Sequence, residues 1–460
     1  MNDDAMDLRG KRVLVVGLGR SGLGAARLCA ARGARVSVTD RHGAGELGAA
    51  LCELRALGVG LELGGHVAAS FEAADLIVLS PGVPDLPELG AARRAGVPIL
   101  GELELSYRFC QAPVIAVTGT NGKSTVTSLL GAMVAASGRP TFVGGNLGTP
   151  LSEAVGSPAA GPGGALVLEV SSFQLETVET FHAKVAVLLN LTEDHLDRYP
   201  TYAEYVAAKA RVFERQTSND YAVVNGAPDQ AECVRLAANG GARVFKFAQK
   251  VGPGVAAWYE GGRTLAVELP IPHLSVPRAE LQLAGRHNVE NALAALLGAL
   301  LFGVDPEHCR SALRDFRGLP HRMELVAEVN GVPFFDDSKA TNVGSVVGSL
   351  TGFERRIVLI AGGKDKGGDY DPLIPLLRQV ARHLVLIGAA ADKMQSVLDG
   401  VLPIHRAPDL PAAVRLAAEL ARPGEAVVLS PACSSYDMFQ NYEERGRVFA
   451  AAARSLGGHP

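Results

Sequence analysis

Short, continuously apolar segments recur along this chain, with alanine- and leucine-rich stretches between them: residues 12–16, 35–39, 76–79, 114–117, 165–170, 185–189, 357–361, 384–387 and 426–429. A strand with one face in water alternates polar and apolar residues, and these runs do not. They predict parallel sheets covered on both sides by helices, an α/β fold. The series restarts near Gly101–Ala112 and again near Gly318–His321, and a chain of 460 residues has room for about three cores at roughly 150 residues each. Between Tyr221 and Arg286 turn residues multiply and the runs shorten, which reads as a small β insertion in the middle domain.

Composition removes several function classes. Hydrophobic residues make up 48% and charged residues 20%, so the chain can bury ordinary cores. A formal net charge of −4 offers no basic field for a nucleic-acid backbone. The longest apolar run, 292–304, is interrupted by Gly298 and Gly303 and falls short of the roughly 20 residues a membrane helix needs, so no membrane span is expected. The acidic start Met1–Asp7 lacks the features of an export signal, and the six cysteines form no C-x-x-C pair. A cytoplasmic protein with reduced thiols is expected.

Chemistry concentrates where strands end. Gly119-Thr120-Asn121-Gly122-Lys123-Ser124 follows the run 114–117 and opens a helical stretch. Glycines let backbone N–H groups turn inward onto phosphates, the helix start adds positive potential, Lys123 neutralises β/γ charge and Ser124 can ligate Mg²⁺. Val117 stands where the full motif has its first glycine. Glu169 ends the next strand and is the expected carboxylate partner for the metal. The polar cluster Asn190–Asp197 ends another, and there His195 either binds metal or steadies an oxyanion, unless Thr192 or Asp194 merely caps a helix.

The chain's first strand runs into Gly17-Leu18-Gly19-Arg20-Ser21-Gly22, and Asp40 closes the second strand about 20 residues on. A tight glycine turn at a helix start accepts any diphosphate. Alone, this pattern leaves a nicotinamide dehydrogenase open beside a UDP-sugar enzyme, and the second loop leaves a nucleotide switch open.

Six segments occur together in one order: 119–125, Glu169-Val170-Ser171-Ser172-Phe173-Gln174-Leu175-Glu176, 192–199 (T-E-D-H-L-D-R-Y), Leu319-Pro320-His321-Arg322, Asp337-Ser338-Lys339-Ala340-Thr341-Asn342 and Ser430-Pro431-Ala432-Cys433-Ser434-Ser435. On these the chain resembles the Mur ligases from Gly17 to Arg445. The phosphate loop is common to that family and to folylpolyglutamate synthase. S-S-F-Q-L-E, D-S-K-A-T-N and S-P-A-C-S-S point to the branch that adds D-glutamate, and the Asp-Asn-Pro-Arg signature of the diaminopimelate-adding branch is absent.

The resemblance implies a Rossmann-like UDP-sugar domain (1–104), a central ATP-binding domain (105–318) and a Rossmann-like amino-acid-binding domain (319–460) that closes over both. It implies an ATP-dependent amide ligase that joins D-glutamate to UDP-N-acetylmuramoyl-L-alanine through an acyl phosphate, with Mg²⁺ and ATP required, acting as a monomer in peptidoglycan precursor synthesis. Residue by residue, Gly19, Arg20, Ser21, Gly22, Asp40, Ser80, Gly82 and Asn146 fall to the UDP-sugar. Gly119 to Thr125, Asn288, Asn291, Arg322 and Asp337 fall to ATP. Thr341, Lys366, Ser435 and Tyr442 fall to D-glutamate, with Tyr442 a departure if phenylalanine is usual there. Lys123, His195, Lys209 and Lys339 are the implied catalytic residues, and Ser124, Glu169, His195 and Lys209 the metal set. Lys209 joins that set only as a carbamate, because a bare ammonium would repel Mg²⁺.

Overall fold

The apolar runs become strands whose alternate residues enter different cores. In β1 (Arg12–Val16), Val13 and Val15 pack in one cluster with Val36, Val38, Leu76 and Val78, while Leu14 and Val16 pack in another with Ile77 and Leu79. In β17 (Ile357–Gly362), Ile357, Leu359 and Ala361 point to one side and Val358 and Ile360 to the other. Both faces are therefore dry, and each fully buried Val, Leu or Ile contributes about 1.5–3 kcal/mol. A single Ile360→Lys would strand a charge in such a core.

The computed structural model describes residues 6–457 except 48, 196, 197, 270–272, 284, 352, 354, 366 and 368. The chain divides into two compact units, one formed by residues 1–278 with 292–314, the other by 279–291 with 315–460.

The first unit carries two sheets. One is parallel, with β1, β2 (Arg35–Asp40), β3 (Gly60–Leu63), β4 (Leu76–Leu79) and β5 (Ile99–Gly101) in the order β3-β2-β1-β4-β5. Strand order reverses at β1, so the loops after β1 and β4 part at their carboxyl ends and leave a crevice. The other sheet holds β6 (Val114–Thr118), β7 (Thr141–Gly145), β8 (Ala165–Glu169), β9 (Val185–Leu188), β10 (Tyr221–Asn225), β11 (Arg243–Ala248), β12 (Val255–Glu260), β13 (Thr264–Glu268) and β14 (His273–Pro277). Its order, β14-β13-β12-β11-β10-β9-β6-β8-β7, sets β6 between β8 and β9. Val117 pairs with Glu169 and Thr118 with Leu188, so three chemistry-bearing loops leave the sheet side by side. The turn-rich stretch read as an insertion continues this sheet: β11 and β12 remain parallel, and only β12 to β14 form an antiparallel meander at its edge.

The segment 101–112 between these sheets is no open linker. The helix Glu102–Tyr107 is buried over Glu102–Ser106, and the Glu104 carboxylate accepts backbone N–H bonds from Glu179, Thr180 and Phe181 at 2.9–3.1 Å as well as the Arg108 guanidinium at 2.8 Å.

The second unit's sheet contains β15 (Glu324–Val329), β16 (Val332–Asp336), β17, β18 (Ala381–Ile387), β19 (Ile404–Arg406) and β20 (Ala426–Leu429) in the order β15-β16-β20-β17-β18-β19, with only β15 antiparallel. Asp336 and Ile360 both pair with Leu429, which brings the loops after β16, β20 and β17 to one edge.

Candidate active site

The loop after β6 is shaped by glycine. Gly119 has φ 139° and Gly122, which caps the helix Lys123–Ala136, has φ 85°. Side chains from the β9 loop hold it in place. Asn121 N–H donates to Asn190 Oδ1 at 2.8 Å, Asn190 Nδ2 donates to the Asn121 carbonyl at 3.0 Å, and Thr120 N–H donates to the Asn190 carbonyl at 3.0 Å. The Thr120 hydroxyl lies 3.0 Å from that of the buried Tyr205. Lys123 Nζ folds back on the loop, donating to the carbonyls of Gly119 at 2.9 Å and Thr120 at 2.7 Å. Ser124 and Thr125 are buried in the helix's first turn.

Glu169 ends β8, 3% exposed, and accepts Asn146 Nδ2 at 2.6 Å; its carbonyl takes the Asn146 N–H at 2.8 Å. The residue assigned to the sugar and the residue assigned to the metal are thus bonded to each other. His195 has φ 57°, and its ring meets Phe173 edge-on at 4.8 Å. Among the described residues, the helix that follows this cluster starts at Tyr202 and is capped by Thr201 rather than by Thr192 or Asp194.

Lys209 lies in the last turn of the helix Tyr202–Ala210, only 2% exposed. Its Nζ donates to the Gly119 carbonyl at 2.9 Å and sits 4.7 Å from the Tyr205 ring centroid. Burial and then the neighbouring Lys123 charge pull its pKa well below the usual lysine range, with Asp194 and Glu169 opposing in part. The shift favours the neutral amine, which is the form of a lysine that can take up CO₂. As a donor set for Mg²⁺, the Ser124 hydroxyl and Glu169 carboxylate supply the hard oxygens the ion prefers, and the His195 imidazole is a softer partner. The Lys209 amine fits this set only after conversion to an oxygen donor.

Between the loops after β1 and β4 lies a pocket of about 550 Å³, lined by Gly17–Ser21, Asp40, His42, His66, Ser80–Pro84, Asn146 and Gln174 among others. Gly19, Arg20, Ser21, Asp40, Ser80, Gly82 and Asn146 are brought together along its wall. Gly22 is not among its lining residues; a Cβ there would lie 1.9 Å from the Gly17 carbonyl oxygen and 2.7 Å from Ser80 Oγ, so close packing alone already requires glycine. Asp40 is already engaged, accepting Leu18 N–H at 2.6 Å and the His42 N–H and ring nitrogen at 2.9 and 2.8 Å. Burial would raise its pKa, but the donors of His42 and Leu18 outweigh burial and hold it below the usual value. A second cavity, about 460 Å³, is lined by Arg12–Leu14 and Arg35–Ser37 at the starts of β1 and β2, away from the loops that follow these strands.

In the second unit, Asn288 and Asn291 share a buried helix face, joined by an Nδ2-to-Oδ1 bond of 3.0 Å. Asp337 is buried, and burial lifts its carboxyl to about 7 against hydrogen bonds from Ser430 and Ser349 and the charge of Arg322. Lys339 Nζ sits 3.8 Å from the Tyr442 ring centroid, so the aromatic face does its work with or without the hydroxyl. Thr341 closes a turn onto the Lys339 carbonyl at 2.8 Å, and Ser435 is buried. Lys366 lies outside the described residues. Sequence reasoning missed Arg445, fully buried, whose guanidinium donates to Ser338 Oγ at 2.9 Å, the Ser338 carbonyl at 2.8 Å and the Cys433 carbonyl at 3.1 Å, while Ser338 Oγ donates to the Tyr442 carbonyl at 2.9 Å. One side chain ties the loops at Ser338 and Cys433 to the helix Tyr442–Ser455. Sequence reasoning marked Asn190 only as the start of a polar cluster and missed its bridge to Asn121.

Fold and site together define a phosphate-loop α/β enzyme with a pocket of about 550 Å³ whose lining residue Asn146 is bonded to Glu169 at the end of β8. Residues 11–101 match the MurD-like N-terminal domain of Mur ligases, 117–299 the Mur ligase middle domain and 321–433 the glutamate ligase domain. Proteins called UDP-N-acetylmuramoylalanine--D-glutamate ligase are similar along their whole length: that of Geotalea daltonii is 47% identical over 456 residues, covering 98% of this chain and 99% of the relative. That of Anaeromyxobacter dehalogenans is 50% identical over 468 residues, covering 98% of each. This chain belongs to the Mur ligase family. The fold is shared with more distant solved structures: the UDP-N-acetylmuramate-alanine ligase MurC of Thermotoga maritima (TM-score 0.59, 20% identity, 97% of this chain and 99% of that one) and MurF of Acinetobacter baumannii (0.61, 18%, 99% and 93%).

Proposed function

We propose that this chain is an ATP-dependent ligase that forms the amide bond between the L-alanine carboxylate of UDP-N-acetylmuramoyl-L-alanine and the amine of D-glutamate, in the peptidoglycan precursor route of the cytoplasm. One observation carries most of the reading. The loops after β6, β8 and β9 bring a phosphate-binding turn, Glu169 and Lys209 together, and Asn146 ties Glu169 to the wall of the 550 Å³ pocket. A diphosphate-linked acid held there would present its carboxylate toward a γ-phosphate. The near-equal identity to two D-glutamate ligases supports the choice of amino acid.

A carboxylate cannot lose oxide at neutral pH, so it must first be phosphorylated. Lys123, released from its loop carbonyls, pairs with the β- and γ-phosphates, and backbone N–H groups of 119–124 hold the chain of phosphates in line. Mg²⁺, held by Ser124, Glu169 and Lys209 as carbamate, with His195 beside them, would spread charge on the transferring group. Asn288, Asn291, Arg322 and Asp337 take the nucleoside. Thr341, Lys366, Ser435 and Tyr442 take D-glutamate, whose amine attacks the acyl carbon. His195 and Lys339 are the groups of this chain that stabilise the tetrahedral oxyanion. We assign residues 1–104, 105–318 and 319–460 to sugar, ATP and amino acid respectively, and take the working form to be a monomer.

The test is phosphate release from ATP with UDP-N-acetylmuramoyl-L-alanine and one amino acid at a time. Release should require D-glutamate; equal release with L-glutamate, L-alanine, L-lysine or diaminopimelate, or with no amino acid, contradicts the proposal.

A further inference from the structure

The loop after β4 that walls the pocket and the segment after β8 that packs on His195 are far apart in sequence, yet one side chain touches both. Arg198 Nη1 donates to the Val83 carbonyl at 2.9 Å, in the loop that lines the pocket, and Nη2 donates to Glu176 Oε2 at 2.8 Å. The other Glu176 oxygen accepts the Tyr199 hydroxyl, so this carboxylate is held from two sides. The Arg198 guanidinium lies 4.5 Å from the Phe173 ring centroid, and the same ring meets the His195 imidazole at 4.8 Å in an edge-on contact. A guanidinium is a rigid planar fork, so a shift of Val83 is carried to whatever the plane stacks on. His195 is sensitive to such a push. At φ 57° it holds a backbone conformation that non-glycine residues keep only when their surroundings impose it, and Phe173 is one of those surroundings.

We infer that Arg198 is a positioning residue that couples occupancy of the UDP-side pocket to the orientation of the His195 ring, through Val83 on one side and Phe173 on the other. The inference rests on the proposed function in taking a UDP compound as the pocket's occupant. Its consequence is that the sugar nucleotide sets the phosphoryl-transfer side before chemistry begins, and linkage makes the effect reciprocal.

The deciding experiment uses the full chain with ¹⁵N-labelled histidines and UDP alone as the probe. His42 and His66 line the pocket and report its occupancy; the His195 signal is the one lost in His195→Gln. In the wild type, UDP should move all three. In Arg198→Met the pocket signals should still move while the His195 shift falls at least fivefold, and Arg198→Lys, which keeps charge without the fork, should behave alike. Phe173→Leu should do the same with the Val83 bond intact, and it carries the test if the arginine variants do not fold. Steady-state kinetics give the companion result: Arg198→Met should raise KM for the UDP substrate and lower kcat, each about tenfold, with KM for ATP within twofold. A merely structural role would lower the active fraction and leave every KM unchanged. An equal His195 response in all variants, or none in the wild type while His42 and His66 move, overturns the link. No movement of His42 and His66 overturns the UDP reading on which it stands.

Discussion

Replacing Asn190 by alanine cuts the amide bridge that holds the phosphate loop, and its cost can be worked from the bonds lost. Two hydrogen bonds to the Asn121 peptide disappear, while the Thr120 bond to the Asn190 carbonyl survives because it is main chain. At about 0.5–1.5 kcal/mol for each bond, plus about 1 kcal/mol for partly buried groups left unpaired, the loss is about 2–4 kcal/mol. If the bridge matters where the triphosphate is gripped, that is about 30- to 1000-fold in kcat/KM for ATP. Asn190→Asp should do at least as much harm, since it sets a carboxylate oxygen against the Asn121 carbonyl and near the phosphates. The assay is coupled ADP release at varied ATP with both other substrates saturating. KM for the UDP substrate should stay within about threefold, because Asn190 is not among the residues lining that pocket. An Asn190→Ala enzyme with kcat/KM for ATP within about threefold of wild type would refute the view that this bridge sets the loop's shape.

Lys209→Ala should lose nearly all activity and regain part of it with added short carboxylates, which supply the missing oxygen donor; full activity without rescue contradicts the carbamate. Because burial raises the Asp337 carboxyl from 3.8 to about 7, the folded state prefers its protonated form, so its stabilising contribution is complete below about pH 4 and is lost as pH rises through 7. The melting midpoint of the wild type should therefore fall relative to Asp337→Asn between pH 5 and pH 8, and parallel profiles would contradict this. Arg445→Met should cost about 2–4 kcal/mol in chemical denaturation and raise KM for D-glutamate about tenfold, since Ser338 and Cys433 lose their common brace and Ser338 in turn holds the Tyr442 carbonyl.

What could be read from residues alone was chemistry carried by contiguous segments. Strands buried on both faces announce themselves by unbroken apolar runs, and Gly122-Lys123-Ser124 after such a run leaves few alternatives. Glu169 drew notice only through its place beside the phosphate loop, since a lone carboxylate at a strand end is more often a solvated terminus; its burial at 3% exposure appears only in the fold. Gly22 was harder to read because one glycine spacing serves both ligand approach and helix–strand packing, and only the neighbouring Gly17 and Ser80 atoms reveal the packing requirement. The bonds of Asn190 and Arg445 were invisible for a different reason: their partners lie far along the chain, in Asn121 for one and in Ser338 and Cys433 for the other. No periodicity marks a contact made by folding. The buried lysine follows the same rule. Lys209 looks like any helix lysine until the Gly119 carbonyl and the Tyr205 ring close around it.

The most direct test of the central claim follows oxygen. UDP-N-acetylmuramoyl-L-alanine carrying ¹⁸O in both carboxylate oxygens is turned over with ATP and D-glutamate, and the released phosphate is weighed by mass spectrometry. If the carboxylate attacks the γ-phosphate, one labelled oxygen leaves with phosphate and the other stays in the new amide carbonyl. Phosphate without label would contradict activation of the acid at the Lys123 loop.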